Sequence, residues 1–143
     1  MSKLFARAKV KKINADNDFR NLSLDDAFLD DCCYNLQQCI EACLKYIVEL
    51  NGEEYVENHD VRAQLNKLSA LGVNLSCTDK IRSIASTLNS WEVESRYNDN
   101  FTALLEDITD AKEIADELLE YCDSLVQEDM GDETAAEESN AQS

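Results

Sequence analysis

Apolar residues recur along this chain in three- and four-residue steps, the spacing that lines one face of an α-helix. The longest stripe is Leu29, Cys33, Leu36, Ile40, Cys43, Ile47 and Leu50, widened by Phe28, Cys32, Cys39 and Leu44. It predicts a central helix over 24–50, with Ser23 as N-cap, Asp26 as capping-box acid and Gly52 as C-terminal cap. A second stripe, Leu104, Ile108, Ala111, Ala115, Leu118, Cys122 and Leu125, predicts a last helix over 101–126. Its other face carries Glu106, Asp107, Asp110, Glu113, Asp116, Glu117, Glu120 and Asp123, offset only by Lys112, and reads as a solvated face. Between them, Val61, Leu65, Leu68 and Leu71 predict a short helix capped by Asn58 and stopped by Gly72. Ile81, Ile84, Ala85, Leu88 and Trp91 predict another, from Thr78 to about Arg96, with Asn98-Asp-Asn as the break. Leu4, Phe5, Ala8, Ile13 and Phe19 lie among basic residues and predict a first helix over 3–14, ended by Asn14-Ala-Asp-Asn-Asp.

Composition agrees. The chain has 143 residues, no proline and three glycines. A β-rich fold of this size needs many tight turns, which draw on Gly and Pro. The expectation is an all-α bundle of four to five helices over 1–126, followed by a disordered acidic tail over 127–143 that lacks apolar periodicity. A chain of this length can bury a core without covalent staples.

The formal net charge is −17, unevenly spread. Residues 1–20 are basic, with Lys3, Arg7, Lys9, Lys11, Lys12 and Arg20 facing only Asp16 and Asp18. Nucleic acid is held largely through its phosphates by Lys and Arg, so non-specific binding by the whole surface is excluded. One phosphate on a local arginine, or a basic partner, is not. No run is apolar enough to span a membrane, and the basic residues 1–20 lack the continuous apolar stretch expected of a secretory signal. The six cysteines therefore read as reduced, in a cytoplasmic setting.

Four of those cysteines, Cys32, Cys33, Cys39 and Cys43, fall on the central helix at helical spacing, without the paired knuckles of a zinc site. They read as core packing, and no metal ligand or cofactor is assigned. His59 is the only histidine; it is either an acid–base group or a polar residue at a helix start. In Trp91-Glu-Val-Glu-Ser-Arg-Tyr-Asn-Asp, Arg96 and Tyr97 close an apolar helix before a polar break. Arg96 either clamps an anion bidentately or holds the fourth helix to the fifth through an internal ion pair.

The order of features resembles the HEPN family. Asn35-Leu-Gln-Gln-Cys-Ile-Glu-Ala-Cys-Leu-Lys-Tyr-Ile-Val-Glu-Leu-Asn-Gly is similar to that family's central helix, Asn58-His-Asp-Val-x-x-x-Leu to the start of its third, and Ser95-Arg-Tyr-Asn-Asp to its Arg-Tyr-Pro-Asp corner. The resemblance implies an antiparallel up-and-down bundle that usually dimerises. Many members are ribonuclease toxins partnered by a small nucleotidyltransferase antitoxin. Their signature is an arginine followed four to six residues later by a histidine: the histidine moves protons and the arginine steadies the phosphate. Here Tyr97, Asn98, Asp99, Asn100, Phe101, Thr102 and Ala103 follow Arg96, and none is a histidine. The expectation is a homodimer that binds a nucleotide, an RNA phosphate or a protein partner without turnover. Arg96, Tyr97 and Asp99 are the binding candidates, and His59 is secondary. The alternatives are a ribonuclease with a displaced acid–base group and an interaction module that docks its acidic face.

Overall fold

A computed structural model describes the backbone of residues 2–141 and side chains as far as Glu128. It contains five helices: α1 (Leu4–Arg20), α2 (Asp26–Leu50), α3 (Val61–Ala70), α4 (Thr78–Tyr97) and α5 (Leu105–Ala141). No strand occurs among the described residues. The fold is the helical bundle that the stripes predict.

The predicted stripe makes α2 the hub. Cys33, Leu36, Ile40, Cys43, Leu44 and Ile47 are all fully buried, and α2 packs against each of the other four helices. Each fully buried Leu or Ile removes enough apolar surface from water to stabilise the fold by roughly 1.5–3 kcal/mol. All six cysteines are free and buried. Burial pushes the Cys32 thiol up to about 12 and that of Cys77 to about 11. Thiols held this firmly in the neutral form are poor nucleophiles and poor metal ligands.

Both glycine stops are Schellman turns. Gly52 and Gly72 have φ of 77° and 76°. The Gly52 N–H donates to Glu49 and that of Glu53 to Val48, while those of Gly72 and Val73 donate to Ser69 and Leu68.

The N-terminal caps differ from expectation by a few residues. Asp25, not Ser23, caps α2 by accepting from the Ala27 N–H at 2.8 Å. Asp60, not Asn58, caps α3; Asn58 instead accepts from the Asp60 N–H at 3.0 Å. Cys77, without a side-chain cap, precedes α4, and Thr78 is its first residue. The last helix begins at Leu105, so Leu104 leaves the stripe and is exposed, while Ile114 joins the core. The acidic segment expected to lack structure over 127–143 continues α5 as far as Ala141; residues 142–143 lie outside the described residues.

Helix α1 runs six residues past its expected end, because tertiary contacts outweigh the weak helix propensity of Asn and Asp. Ala15 is fully buried, and its carbonyl accepts from the Cys32 Sγ at 3.5 Å. Buried Lys12 reaches Asp16 at 2.7 Å and Asp116 of α5 at 3.0 Å. The acidic face of α5 is therefore not wholly solvated: Asp116 pairs with Lys12, and Glu117 with Lys80 at 2.9 Å. No helix among the described residues is long and apolar enough to cross a membrane.

Asp18 ends this contact. Asn35 of α2 donates to Asp18 at 3.0 Å and to Asp31 at 3.1 Å. Burial and the neighbouring Asp31 push the Asp18 carboxyl up to about 6. Between the ordinary aspartate value and about 6, the folded chain keeps a proton that the unfolded chain has released. Stability contributed here therefore falls as pH rises through that window. Asp18→Asn, which keeps the hydrogen bonds and removes the charge, should melt higher than the parent at pH 7.5, with the gap closing near pH 4. A pH-independent gap in thermal scans would remove Asp18 as the cause.

Candidate functional site

The three sequence stretches that carry the resemblance meet in space through two carboxylates, Glu41 and Glu92, that His59 lies between. On α2, Glu41 follows Gln37 and precedes Lys45 by one turn each, so all three share a helix face. The Glu41 side chain is 5 % exposed, and both its oxygens are occupied. Oε1 accepts from Lys45 Nζ at 2.8 Å and sits 2.9 Å from His59 Nδ1. Oε2 accepts from Gln37 at 3.0 Å and from Gln38 at 3.4 Å.

His59 is placed by the start of α3. Asp60 accepts from the Arg62 N–H at 2.9 Å and from Asn89 of α4 at 2.8 Å. Asn89 accepts in turn from the Val61 N–H at 3.1 Å. Buried Gln64 holds the preceding connection by donating to the Val56 carbonyl at 2.6 Å and accepting from its N–H at 3.3 Å. With both sides fixed, the imidazole lies against Glu41. A carboxylate only accepts hydrogen bonds, so Nδ1 carries the proton and Nε2 is left for a second partner.

That second neighbour is Glu92 of α4, whose Oε1 lies 3.9 Å from His59 Nε2. The same oxygen accepts from Arg96 Nη2, and Arg96 Nε donates to the Glu92 carbonyl at 2.8 Å. The fold thus brings His59 and Arg96, far apart in sequence, to one carboxylate oxygen. The ion pair of Arg96 lies within α4 and does not tie α4 to α5. The Arg96 guanidinium lies 5.0 Å from the ring centres of both Tyr34 and Tyr97.

The other sequence candidates are placed unevenly. Tyr97 is 73 % exposed beside Arg96, open to a stacking ligand. Asp99 is exposed in the turn after α4 and, among the described residues, shares no hydrogen bond or ion pair with Arg96 or His59. Glu41 and Lys45 belong to the stretch that resembles the family's central helix, but neither they nor Glu92 and Tyr34 were among the binding candidates. The four-residue spacing of Glu41 to Lys45 and of Glu92 to Arg96 is the signal that could have found them. Among the described residues no group of His, Cys, Asp and Glu is arranged to hold a metal ion.

Two cavities lie nearby. One, of about 210 Å³, opens between α1, α2 and the connection to α3 and includes His59 and Glu41 in its wall. A larger one, of about 380 Å³, lies between α4 and the α4–α5 connection, but its walls carry Glu94 and Asp107 and no cation. It is unsuited to an anion.

A bundle hung on one central helix, with a polar cluster of His59, Arg96 and two glutamates at its side, defines a class of small all-helical domains. The family model of the HEPN domain matches residues 2–127, and the chain belongs to that family. No curated protein and no solved structure matches the chain.

The network makes Glu41 the residue that fixes the site. Glu41→Ala leaves Lys45 and His59 without their acceptor and should cost roughly 2–3 kcal/mol, the size of a lost set of charge-assisted hydrogen bonds. Glu41→Gln should cost less. Urea unfolding measures both, and a loss below about 0.5 kcal/mol for Glu41→Ala would show that the network does not bear on stability.

Proposed function

We propose that this HEPN domain binds a phosphate-bearing ligand, a nucleotide or an RNA phosphate, without cleaving it. The observation behind this reading is the position of Glu92. The histidine of the family's arginine–histidine signature is absent after Arg96, and the one histidine near Arg96, His59, comes from the start of α3. Here a carboxylate stands between His59 Nε2 and Arg96 Nη2. Glu92 holds Arg96 in an ion pair within α4, so a phosphate that engages this guanidinium competes with a carboxylate. The arginine retains a partly exposed side chain and an aromatic neighbour on which a base can stack.

The runner-up is a ribonuclease with a displaced acid–base group, and one observation favours it. Glu41 orients His59 as a carboxylate orients the histidine of a catalytic triad, and the imidazole reaches the same carboxylate oxygen as Arg96. Exposed Val93 and Tyr97 on α4, with Leu104 and Leu105 beyond it, support a homodimer that pairs through this end. A small nucleotidyltransferase is the partner protein that family membership suggests. Six unpaired thiols fit a reducing, cytoplasmic setting.

Purified chain incubated with total RNA should give no cleavage above background. Arg96→Ala should weaken AMP binding at least about ten-fold, the loss of one bidentate charge-assisted contact, while the melting temperature moves by only a few degrees. A large fall in melting temperature with unchanged affinity would make Arg96 a structural clamp. RNA cleavage lost in His59→Ala would establish the runner-up.

A further inference from the structure

The cations around the phosphate-binding site are not equally available. Lys45 is matched by Glu41, and Arg96 by Glu92. Arg7 and Lys11 are different. They lie one turn apart on α1, facing the same cavity as His59, and neither makes an ion pair among the described residues. Lys11 rests only over the Tyr34 ring, 5.2 Å from its centre.

The cavity walls bring together Arg7, Lys11, Lys45, Glu41, His59 and Tyr55. Arg7, Lys11 and Lys45 set three positive charges against the one negative charge of Glu41, a local excess of two on a chain whose net charge is −17. A phosphate monoester carries about −1.5 to −2 at neutral pH, which matches that excess; a phosphodiester carries less. Tyr55 supplies an aromatic wall, with Lys45 Nζ 5.0 Å from its ring centre. The His59 side chain is 60 % exposed at the cavity wall.

We propose that this cavity between α1 and α2 is the seat of a terminal phosphate monoester borne by a nucleoside, with Arg7 and Lys11 as its principal cations. The inference rests on the reading that the domain binds a phosphate-bearing ligand; it seats the phosphate on Arg7 and Lys11, with Arg96, which shares the Tyr34 ring with Lys11, as a further cation at the edge of the seat. Size and charge both select the ligand. At about 210 Å³ the cavity is smaller than the roughly 300 Å³ at which pockets begin to enclose a drug-sized molecule. It takes the phosphate and part of the sugar, and the base remains at the rim beside the half-buried Tyr55. A long polyanion also has to pass over the acidic faces of the bundle. A small ligand does not, because charges beyond a Debye length of about 8 Å are largely screened at physiological salt.

A free nucleotide and the 5′ end of an RNA present the same chemistry, and titration calorimetry separates them. The probes are AMP, adenosine, and an RNA hexamer carrying either a 5′-phosphate or a 5′-hydroxyl. The full chain is compared with Arg7→Gln, Lys11→Gln, Arg96→Ala and the charge-matched control Lys80→Gln on a remote surface. Far-ultraviolet circular dichroism confirms the fold of each variant. The expected result is AMP binding weakened at least ten-fold in Arg7→Gln and in Lys11→Gln and less than two-fold in Lys80→Gln, with adenosine not binding. The phosphorylated hexamer binding as AMP does, and the hydroxyl form not binding, assigns an RNA end; AMP alone binding assigns a free nucleotide. AMP binding that Arg7→Gln and Lys11→Gln leave intact and Arg96→Ala abolishes overturns this seat and keeps the proposed function. No binding of AMP or either hexamer overturns both.

Discussion

A carboxylate taken out of water must be given partners, and the Glu41 side chain organises the site around that requirement. Burying an unpaired carboxylate costs on the order of several kcal/mol. Glu41 avoids the cost because Lys45 and Gln37, each one helical turn away, and Gln38 supply donors from its own helix. One further place on Oε1 is filled by His59 from the α2–α3 connection. The histidine is thereby fixed in one orientation, and its second nitrogen is turned toward α4. Glu92 and Arg96 complete the line. Three segments that look unrelated along the chain form one polar cluster, with His59 as the link between the buried Glu41 on α2 and Glu92 on α4.

Much of the fold was legible because it rests on periodicity. The α2 stripe alone specified the hub, and both glycine stops sit where a left-handed turn residue is required. What was misread depended on contacts. Asn14 and Asp16 read as a break, yet Ala15 and Asp18 on the same stretch are held by α2, so α1 continues. Leu104 fits the last stripe by spacing but lies before the helix starts. At the site, Arg96 and His59 were each visible as residue types. Their convergence was not, because it depends on the packing of α3 and α4 against α2. Glu92 was passed over because a glutamate one turn before an arginine is commonplace on a helix surface. Here it is nearly buried and lies between His59 and Arg96.

Charge distribution shapes what such a site can accept. The acidic surface opposes any long anion, while the basic first helix contributes Arg7 and Lys11 to the side of the bundle that carries His59. A small, highly charged group gains from the local excess and escapes most of the distant repulsion. Electrostatics and cavity size therefore point in the same direction.

The central claim is that Glu92 stands in the anion position and keeps Arg96 engaged at rest. Titration of Glu92→Gln with AMP tests it most directly, since the substitution keeps the shape and a hydrogen-bond acceptor while removing the competing charge. The account predicts affinity tighter by about five-fold, corresponding to release from a partly exposed ion pair of about 1 kcal/mol. Affinity equal to or weaker than that of the parent chain would contradict it.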